Sequence, residues 1–253
     1  MSRLVQHDRR RLEKHPGLVG VDEAGRGCLA GPVSAAAVWL EPGFFADRRR
    51  VRVANTADDS KKLSAEAREV LYAALLEWEK AGLVRMAQAT ASVLEIDAYN
   101  ILGATRLAMH RCLQTLADVE TSRGAACPFP SAASDSDTPL FRDDASVCPL
   151  VLVDGRPLKP FVWRHTALVG GDGRSLAIAL ASILAKVRRD HLMAELHAQY
   201  PQYGFDVHKG YVTAAHIAAL REHGPCAEHR PLFLRKIFAR NESPDTQIEF
   251  RFA

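Results

Sequence analysis

The sequence predicts an α/β protein, a sheet covered by helices. Three observations carry this expectation. Short apolar runs are punctuated by turn residues and acids, helix-length stretches alternate with them, and hydrophobic and charged residues make up 47% and 25%, the balance of a globular chain.

The first run, Leu18-Val19-Gly20-Val21, predicts a short strand leading directly into Asp22-Glu23-Ala24-Gly25-Arg26-Gly27. After Gly31-Pro32, Val33 to Leu40 is apolar and bounded at both ends, which predicts a buried second strand. Glu41 to Asp59 carries Arg48, Arg49, Arg50 and Arg52 and is expected as a loop or hairpin excursion. Ser64 is placed to N-cap a helix reaching Ala81 and closed by Gly82. Leu83 to Ala91 predicts a strand. Ser92-x-x-Glu95 is a capping box opening a short helical turn, and a longer amphipathic helix follows from about Asn100 to Ala117. Thr121 to Pro149 holds Pro128, Pro130 and Pro139 without apolar periodicity and is expected as a flexible surface insertion. Leu150 to Val153 predicts a strand that ends on Asp154. Ser175 to about Tyr200 is the strongest helix, stopped by Pro201, with further helices near Thr213 to Glu222 and Pro231 to Phe238.

Composition excludes several function classes. The apolar content is too high for a disordered chain, and no run of about 18 apolar residues exists to span a membrane. The net charge of +3, from 33 Lys+Arg against 30 Asp+Glu, does not by itself announce a nucleic-acid partner. Met1 to Pro16 is charged, with Arg9, Arg10 and Arg11 in a row, and lacks the apolar core of a signal peptide; it is expected as a basic arm and the chain as cytoplasmic. The cysteines Cys28, Cys112, Cys127, Cys148 and Cys226 are widely spaced without a C-x-x-C pair, so no disulfide framework is expected. His223-x-x-Cys226-x-x-His229 has the residue types of a zinc site, but three ligands in a Gly-Pro turn without paired spacing argue against structural zinc.

The acids carry more information. Two strands end in carboxylates, Asp22-Glu23 and Asp154, and chemistry in open α/β sheets gathers at the carboxyl ends of strands. Any one such acid is most simply a turn residue. Asp190 weakens that view, because helical spacing puts it on the face of Ile183 and Val187, directed at the sheet. An inward carboxylate must be paired, with Lys186 or Arg189 as partners in reach, or protonated, or bound to metal. Converging acids would repel unless divalent cations sat between them, and oxygen-rich sites suit Mg²⁺ or Mn²⁺. Two such ions about 4 Å apart can drive phosphodiester cleavage. Adjacent strand residues face opposite ways, so Asp22 and Glu23 share a site only if the strand ends or bulges there.

Two other functions compete. Gly25-x-Gly27-x-x-Ala30 passes as a dinucleotide-binding fingerprint, but Pro32, a strand where a helix is needed, and two preceding acids oppose it. No G-x-x-x-x-G-K-[ST] occurs. A non-catalytic nucleic-acid-binding module would bind without needing a divalent metal.

The run from Gly20 through Asp22-Glu23-Ala24-Gly25-Arg26-Gly27 to Gly31-Pro32-Val33 resembles the opening motif of bacterial ribonuclease HII. Asp59-Ser60-Lys61-Lys62-Leu63, Val153-Asp154-Gly155, Ala181 to Asp190, and Tyr203-Gly204-Phe205 with His208-Lys209-Gly210-Tyr211 resemble its later blocks, in the same order from about Val19 to Arg240. The resemblance implies a ribonuclease H-like fold, with a mixed β-sheet flanked by helices and a helical C-terminal part. It implies a monomeric endoribonuclease that cuts the RNA strand of RNA–DNA hybrids and nicks 5′ of single ribonucleotides in DNA, leaving 5′-phosphate and 3′-hydroxyl ends. Asp22, Glu23, Asp154 and Asp190 match the family's metal ligands, for two Mg²⁺ or Mn²⁺ ions with substrate bound. Gly25, Arg26 and Gly27 match the segment that senses the ribonucleotide 2′-OH, and Tyr211 the tyrosine that packs on the deoxyribose after the junction. Lys61, Lys62, Lys186 and Lys209 are candidate phosphate contacts.

In this frame residues 17–240 form the catalytic domain and 241–253 a tail. The segments 41–57 and 121–149 are longer than the family pattern, and no added N-terminal domain points to the ribonuclease HIII relative. Gln247-Ile-Glu-Phe250-Arg-Phe252 resembles a sliding-clamp-binding peptide, with a frayed terminus or small edge strand as the simpler expectation.

Overall fold

The computed structural model describes residues 2–57, 63–123 and 148–235. Its five-stranded sheet contains β1 (Leu18–Ala24), β2 (Val33–Leu40), β3 (Val84–Ala91), β4 (Leu150–Asp154) and β5 (Thr166–Leu168), in the order β3-β2-β1-β4-β5. β1–β2 and β2–β3 are antiparallel, whereas β1–β4 and β4–β5 are parallel, so the sheet is mixed. Every residue of β2 is buried, as its unbroken apolar run requires of a strand covered on both faces.

The helices are α1 (Arg3–Leu12), α2 (Arg48–Ala54), α3 (Ala65–Lys80), α4 (Val93–Ser122), α5 (Leu176–Gln199), α6 (Phe205–His208) and α7 (Ala214–His223). Residues 231–235 are also helical. One face of the sheet packs on α5, with α3 and α1 outside it; the other packs on α4. A third core, built from Leu29, Ala30, Met193, Tyr203, Phe205, Leu220 and Leu234, fastens the C-terminal helices to the segment after β1.

Most sequence expectations match these elements. Ser64 caps α3 through the Ala67 N–H, and Ser92 with Glu95 forms the reciprocal capping box of α4. The short turn and the longer helix expected there are the two limbs of α4, kinked at Asn100, whose φ is 55° and whose side-chain oxygen accepts from Leu102 N and Gly103 N. β5 was not anticipated, because a three-residue edge strand has too little pattern to detect.

Two segments differ from expectation. Residues 42–57 are helical rather than a loop or hairpin: Asp47 caps α2 by accepting from Arg49 N and Arg50 N, while Phe44, Phe45, Ala54 and Ala57 enter the core. The arginine run hid the four apolar anchors between which it lies. The expected basic arm is, over its described residues 2–16, no free arm. α1 buries Leu4, Val5 and Asp8, and Asp8 Oδ2 accepts from Ser175 Oγ at 3.1 Å and from Ala177 N at 2.9 Å. A carboxylate from α1 thus caps the N-terminus of the central helix α5, where the helix dipole favours negative charge. Asp8→Ala should lower the free energy of unfolding in urea by about 2 kcal/mol, with Asp8→Asn recovering part of it; an unchanged midpoint would contradict this capping role.

Glycine at position 20 sets the closeness of sheet and helix. A Cβ there would lie 2.1 Å from the backbone carbon of Ala177, so only glycine lets α5 rest directly on β1. This contact brings the second and third turns of α5 over the carboxyl end of β1. The expected insertion 121–149 begins inside α4, and residues 124–147 lie outside the described residues. Lys61, Lys62, the tail 241–253 and the segment Gln247 to Phe252 lie outside them too.

Candidate active site

Register decides which acids meet. Val21 pairs with Val153, and both side chains enter the core under α4. The next residue on each parallel strand, Asp22 and Asp154, therefore faces α5. Asp22 is 5% exposed, with its Oδ1 accepting from Glu23 N at 2.7 Å and its carboxyl hydrogen-bonded to Ser182 of α5. Asp154 Oδ1 accepts from Gly171 N at 2.6 Å. Pairing between β1 and β4 ends at Val21–Val153, so the strands part where the acids begin.

The strand itself neither ends nor bulges at Asp22. β1 continues in regular pairing with β2 through Glu23–Ala35 and Ala24–Ser34. Alternation thus sends Glu23 to the opposite face from Asp22, where it receives a hydrogen bond from Arg26 Nη1 at 2.9 Å. Glu23 still feels Asp154. Burial, then Glu23, then Asp154 push the Asp22 carboxyl well above its ordinary range. Burial raises Glu23 too, opposed by Arg26 and reinforced by Asp154.

Asp190 is held differently. The inward position on this turn of α5 belongs to Arg189, which is completely buried, while Asp190 is 15% exposed and accepts from Lys186 Nζ at 2.6 Å. With Glu23 on Arg26 and Asp190 on Lys186, two of the acids carry internal counter-charges. In this side-chain arrangement no three acids, histidines or cysteines stand close enough to hold a metal ion among the described residues. The donor chemistry nonetheless fits a hard divalent cation. Burial, reinforced by two neighbouring acids, drives Asp22 toward protonation, a state that an oxygen-seeking cation relieves.

The Gly25-Arg26-Gly27 segment packs beside these acids. Gly25 has φ 91°, and a Cβ on it would meet Arg189 Nε at 1.9 Å, so glycine is needed there for backbone shape and for the arginine beneath. Gly27 faces open space. Arg189, expected from sequence as a partner for Asp190, instead binds three carbonyls: Pro32 through Nε at 3.1 Å, Lys209 through Nη1 at 2.8 Å and Ala30 through Nη2 at 3.1 Å. Buried Arg230, unforeseen from sequence, donates to Gly31 O at 2.9 Å and Arg26 O at 3.1 Å. Burial lowers its pKa to about 10, which leaves it charged at neutral pH. Neither arginine has a sequence signature, because a buried guanidinium bonded to carbonyls looks like any surface arginine in a single sequence.

Tyr211 stands over the same ground. Its ring centroid lies 5.6 Å from Lys186 Nζ and 5.8 Å from Arg189 Cζ, and its hydroxyl is hydrogen-bonded to Cys28. Lys209 lies in the preceding left-handed turn and contributes its carbonyl to Arg189. The structure brings Lys186, Lys209, Tyr211 and the Gly25–Gly27 segment together around Arg189. Of the His223, Cys226 and His229 trio two meet: Cys226 N donates to His229 Nδ1 and Cys226 Sγ lies 3.2 Å from the same nitrogen, while His223 lies edge-on to Tyr203 and does not join them.

Fold and site define the class: this is a ribonuclease H-like α/β protein with acids gathered at the carboxyl ends of two central parallel strands. The family model for ribonuclease HII matches residues 19–123 and 156–241. Ribonucleases HII of Burkholderia mallei and Burkholderia vietnamiensis are each 45% identical over 214 residues, covering 85% of this chain and 81% of theirs. The chain belongs to the ribonuclease HII family and is an endoribonuclease of ribonuclease H type 2.

Solved structures agree on the fold. The ribonuclease HII in the PCNA complex from Archaeoglobus fulgidus aligns with TM-score 0.58 at 21% identity, over 90% of this chain and 98% of that one. The Bst ribonuclease HIII in complex with Mn²⁺ aligns with TM-score 0.60 at 17% identity, over 91% of this chain and 72% of that one. The dinucleotide alternative fails on the fold, because Val33–Leu40 is an antiparallel strand where that motif requires a helix. Among the described residues no helix is long and apolar enough to cross a membrane.

Proposed function

We propose that this chain hydrolyses the RNA strand of RNA–DNA hybrids and nicks on the 5′ side of single ribonucleotides in duplex DNA, using two divalent metal ions. The observation that carries this proposal is the parting of β1 and β4 at Val21–Val153. It leaves Asp22 and Asp154 side by side and raises the Asp22 carboxyl through burial and two acidic neighbours. Asp22, Glu23, Asp154 and Asp190 would hold Mg²⁺ or Mn²⁺; the Mn²⁺ in the ribonuclease HIII structure supports that choice. Bound there, the ions would supply Lewis-acid stabilisation of the phosphodiester oxygens that attack and leave.

The protein's own groups prepare the rest. Lys186 and Arg26 neutralise Asp190 and Glu23, and swinging off these acids would free both side chains for substrate phosphates. Buried Arg189 and Arg230, which bond to carbonyls and have no acid partner among the described residues, place positive charge beneath the Gly25–Gly27 segment. An anionic strand is favoured here although the whole chain carries only +3. The backbone of Gly25, Arg26 and Gly27 would read the 2′-OH, which distinguishes RNA from DNA, and the Tyr211 ring would pack on the following deoxyribose. Lys61, Lys62 and Lys209 would add phosphate contacts. The PCNA complex of the Archaeoglobus relative favours a sliding clamp as partner, and Gln247 to Phe252 is the segment whose sequence would bind it.

The test is a duplex containing one ribonucleotide, incubated with Mg²⁺, with Mn²⁺ and with EDTA. A nick immediately 5′ of the ribonucleotide, present with metal and absent in EDTA, is expected. Binding without cleavage in either metal would overturn the proposal in favour of a non-catalytic module.

A further inference from the structure

The turn that carries Tyr211 is bonded through nearly every peptide group. Lys209 (φ 51°) and Gly210 (φ 77°) are both left-handed, a conformation that is strained for lysine and persists only where its surroundings enforce it. Lys209 O accepts from Arg189, Gly210 N donates to His208 Nδ1 at 3.2 Å, and Gly210 O accepts from Leu29 N at 2.8 Å. Tyr211 N donates to His208 O at 2.9 Å, and Tyr211 O lies 3.0 Å from His216 Nδ1.

The last bond begins a chain with one consistent proton assignment. A carbonyl only accepts, so His216 Nδ1 carries the proton and the Nε2 of the neutral ring is an acceptor. His229 Nε2 stands 3.0 Å from that atom and must therefore donate. His229 Nδ1 is then left to accept, and Cys226 N donates to it at 3.0 Å. His208 stacks on His216 at 4.2 Å, with its own Nε2 directed at Tyr203 O. Both relay rings are buried, and burial lowers their pKa values to about 4 for His216 and about 3 for His229. They are neutral in ordinary buffers, as the chain of bonds requires; a second proton on His216 would set two N–H groups head to head.

We propose that His216 and His229 are positioning residues for Tyr211: the relay from Cys226 N–H through both imidazoles to the Tyr211 carbonyl holds its ring at the substrate contact. This rests on the reading of Tyr211 as the residue that packs on the deoxyribose after the junction. The relay acts on a sugar that a uniform hybrid does not offer. Its loss should weaken cleavage at a single ribonucleotide in DNA more than cleavage of an all-RNA strand paired with DNA.

The experiment compares kcat/KM on those two substrates for the full chain and its variants. Tyr211→Ala should shift the preference by about tenfold against the single-ribonucleotide duplex, the scale of one lost aromatic contact. His216→Leu should shift it in the same direction and add nothing further in the Tyr211→Ala background. His216→Asn, whose amide nitrogen can replace Nδ1, should restore the preference. A normal preference in His216→Leu alongside a shifted one in Tyr211→Ala would overturn the relay's role alone. An unshifted Tyr211→Ala would overturn the Tyr211 reading and the relay with it. Long-range proton–nitrogen NMR of the wild-type protein is independent of whether the variants fold. It should find His216 protonated at Nδ1 and His229 at Nε2, and the opposite tautomers would overturn the proposal.

Discussion

Asp154→Asn should reduce cleavage at least a hundredfold while leaving hybrid binding nearly intact. The amide keeps the oxygen that accepts the Gly171 N–H, so the Gly170–Gly173 turn and the start of α5 have no reason to move. What disappears is one negative charge between β1 and β4, and with it one of the proposed metal ligands, a loss expected to exceed the 10–100-fold typical of residues that only orient ligands. The same change removes a repulsion that now raises both Asp22 and Glu23. In EDTA the variant should therefore melt at or above the wild-type temperature. Full activity would remove Asp154 from the site, while lost activity with a lower melting temperature would point to a folding defect instead.

Arg189→Met should be the most damaging substitution outside the acids. Its three carbonyl partners, from Ala30, Pro32 and Lys209, lie on two separate segments, and no acid pairs with Arg189 among the described residues. Methionine fills similar volume but donates nothing, so buried carbonyls lose their partner at about 1–3 kcal/mol each. Some of that is recovered by no longer burying a charge, which leaves an expected loss of about 3–5 kcal/mol in urea unfolding. Cleavage should fall with it, because the Gly25–Pro32 segment and the Tyr211 turn lose their common tie. Arg189→Lys should not rescue, since a single ammonium cannot serve three acceptors spread around a planar fork. Wild-type stability in Arg189→Met would show that the remaining bonds to Gly210 and Tyr211 suffice.

The parts of this protein legible in one sequence are those set by local chemistry. The unbroken run Val33–Leu40 predicts a strand buried on both faces, and β2 is one. Ser64 and Ser92 are each placed to cap a helix, and each caps it. The strand-end acids at 22, 23 and 154 were also readable, because a carboxylate that closes an apolar run stands out against its neighbours. The resemblance to ribonuclease HII rests on five blocks in order, and the family match over residues 19–123 and 156–241 agrees with it.

Residues 42–57 and 1–16 were misjudged for a shared reason. Their charge is local and visible, whereas the burial of Phe44, Phe45, Leu4 and Val5 depends on surfaces contributed by α3 and α5. Asp190 shows the limit of periodicity. Spacing from Ile183 and Val187 correctly places it near the buried stripe, but one residue of rotation separates a carboxylate bound to Lys186 from an arginine sealed inside.

By itself, then, the sequence determined most of the element types, the Ser64 and Ser92 caps, the family and the identity of the acids at the strand ends, since each follows from residues adjacent in the chain. Only the tertiary structure decided that Val21–Val153 register sets Asp22 beside Asp154, and that regular pairing sends Glu23 to the other face. It alone showed that Arg189 and Arg230 bond to carbonyls of the Arg26–Pro32 segment and of Lys209, and that His216, backed by His229, bonds to the Tyr211 carbonyl. The physical reason is that a buried polar group is defined by the partners that replace water around it. Those partners, up to 204 positions away for the Arg230–Arg26 bond, leave no local mark.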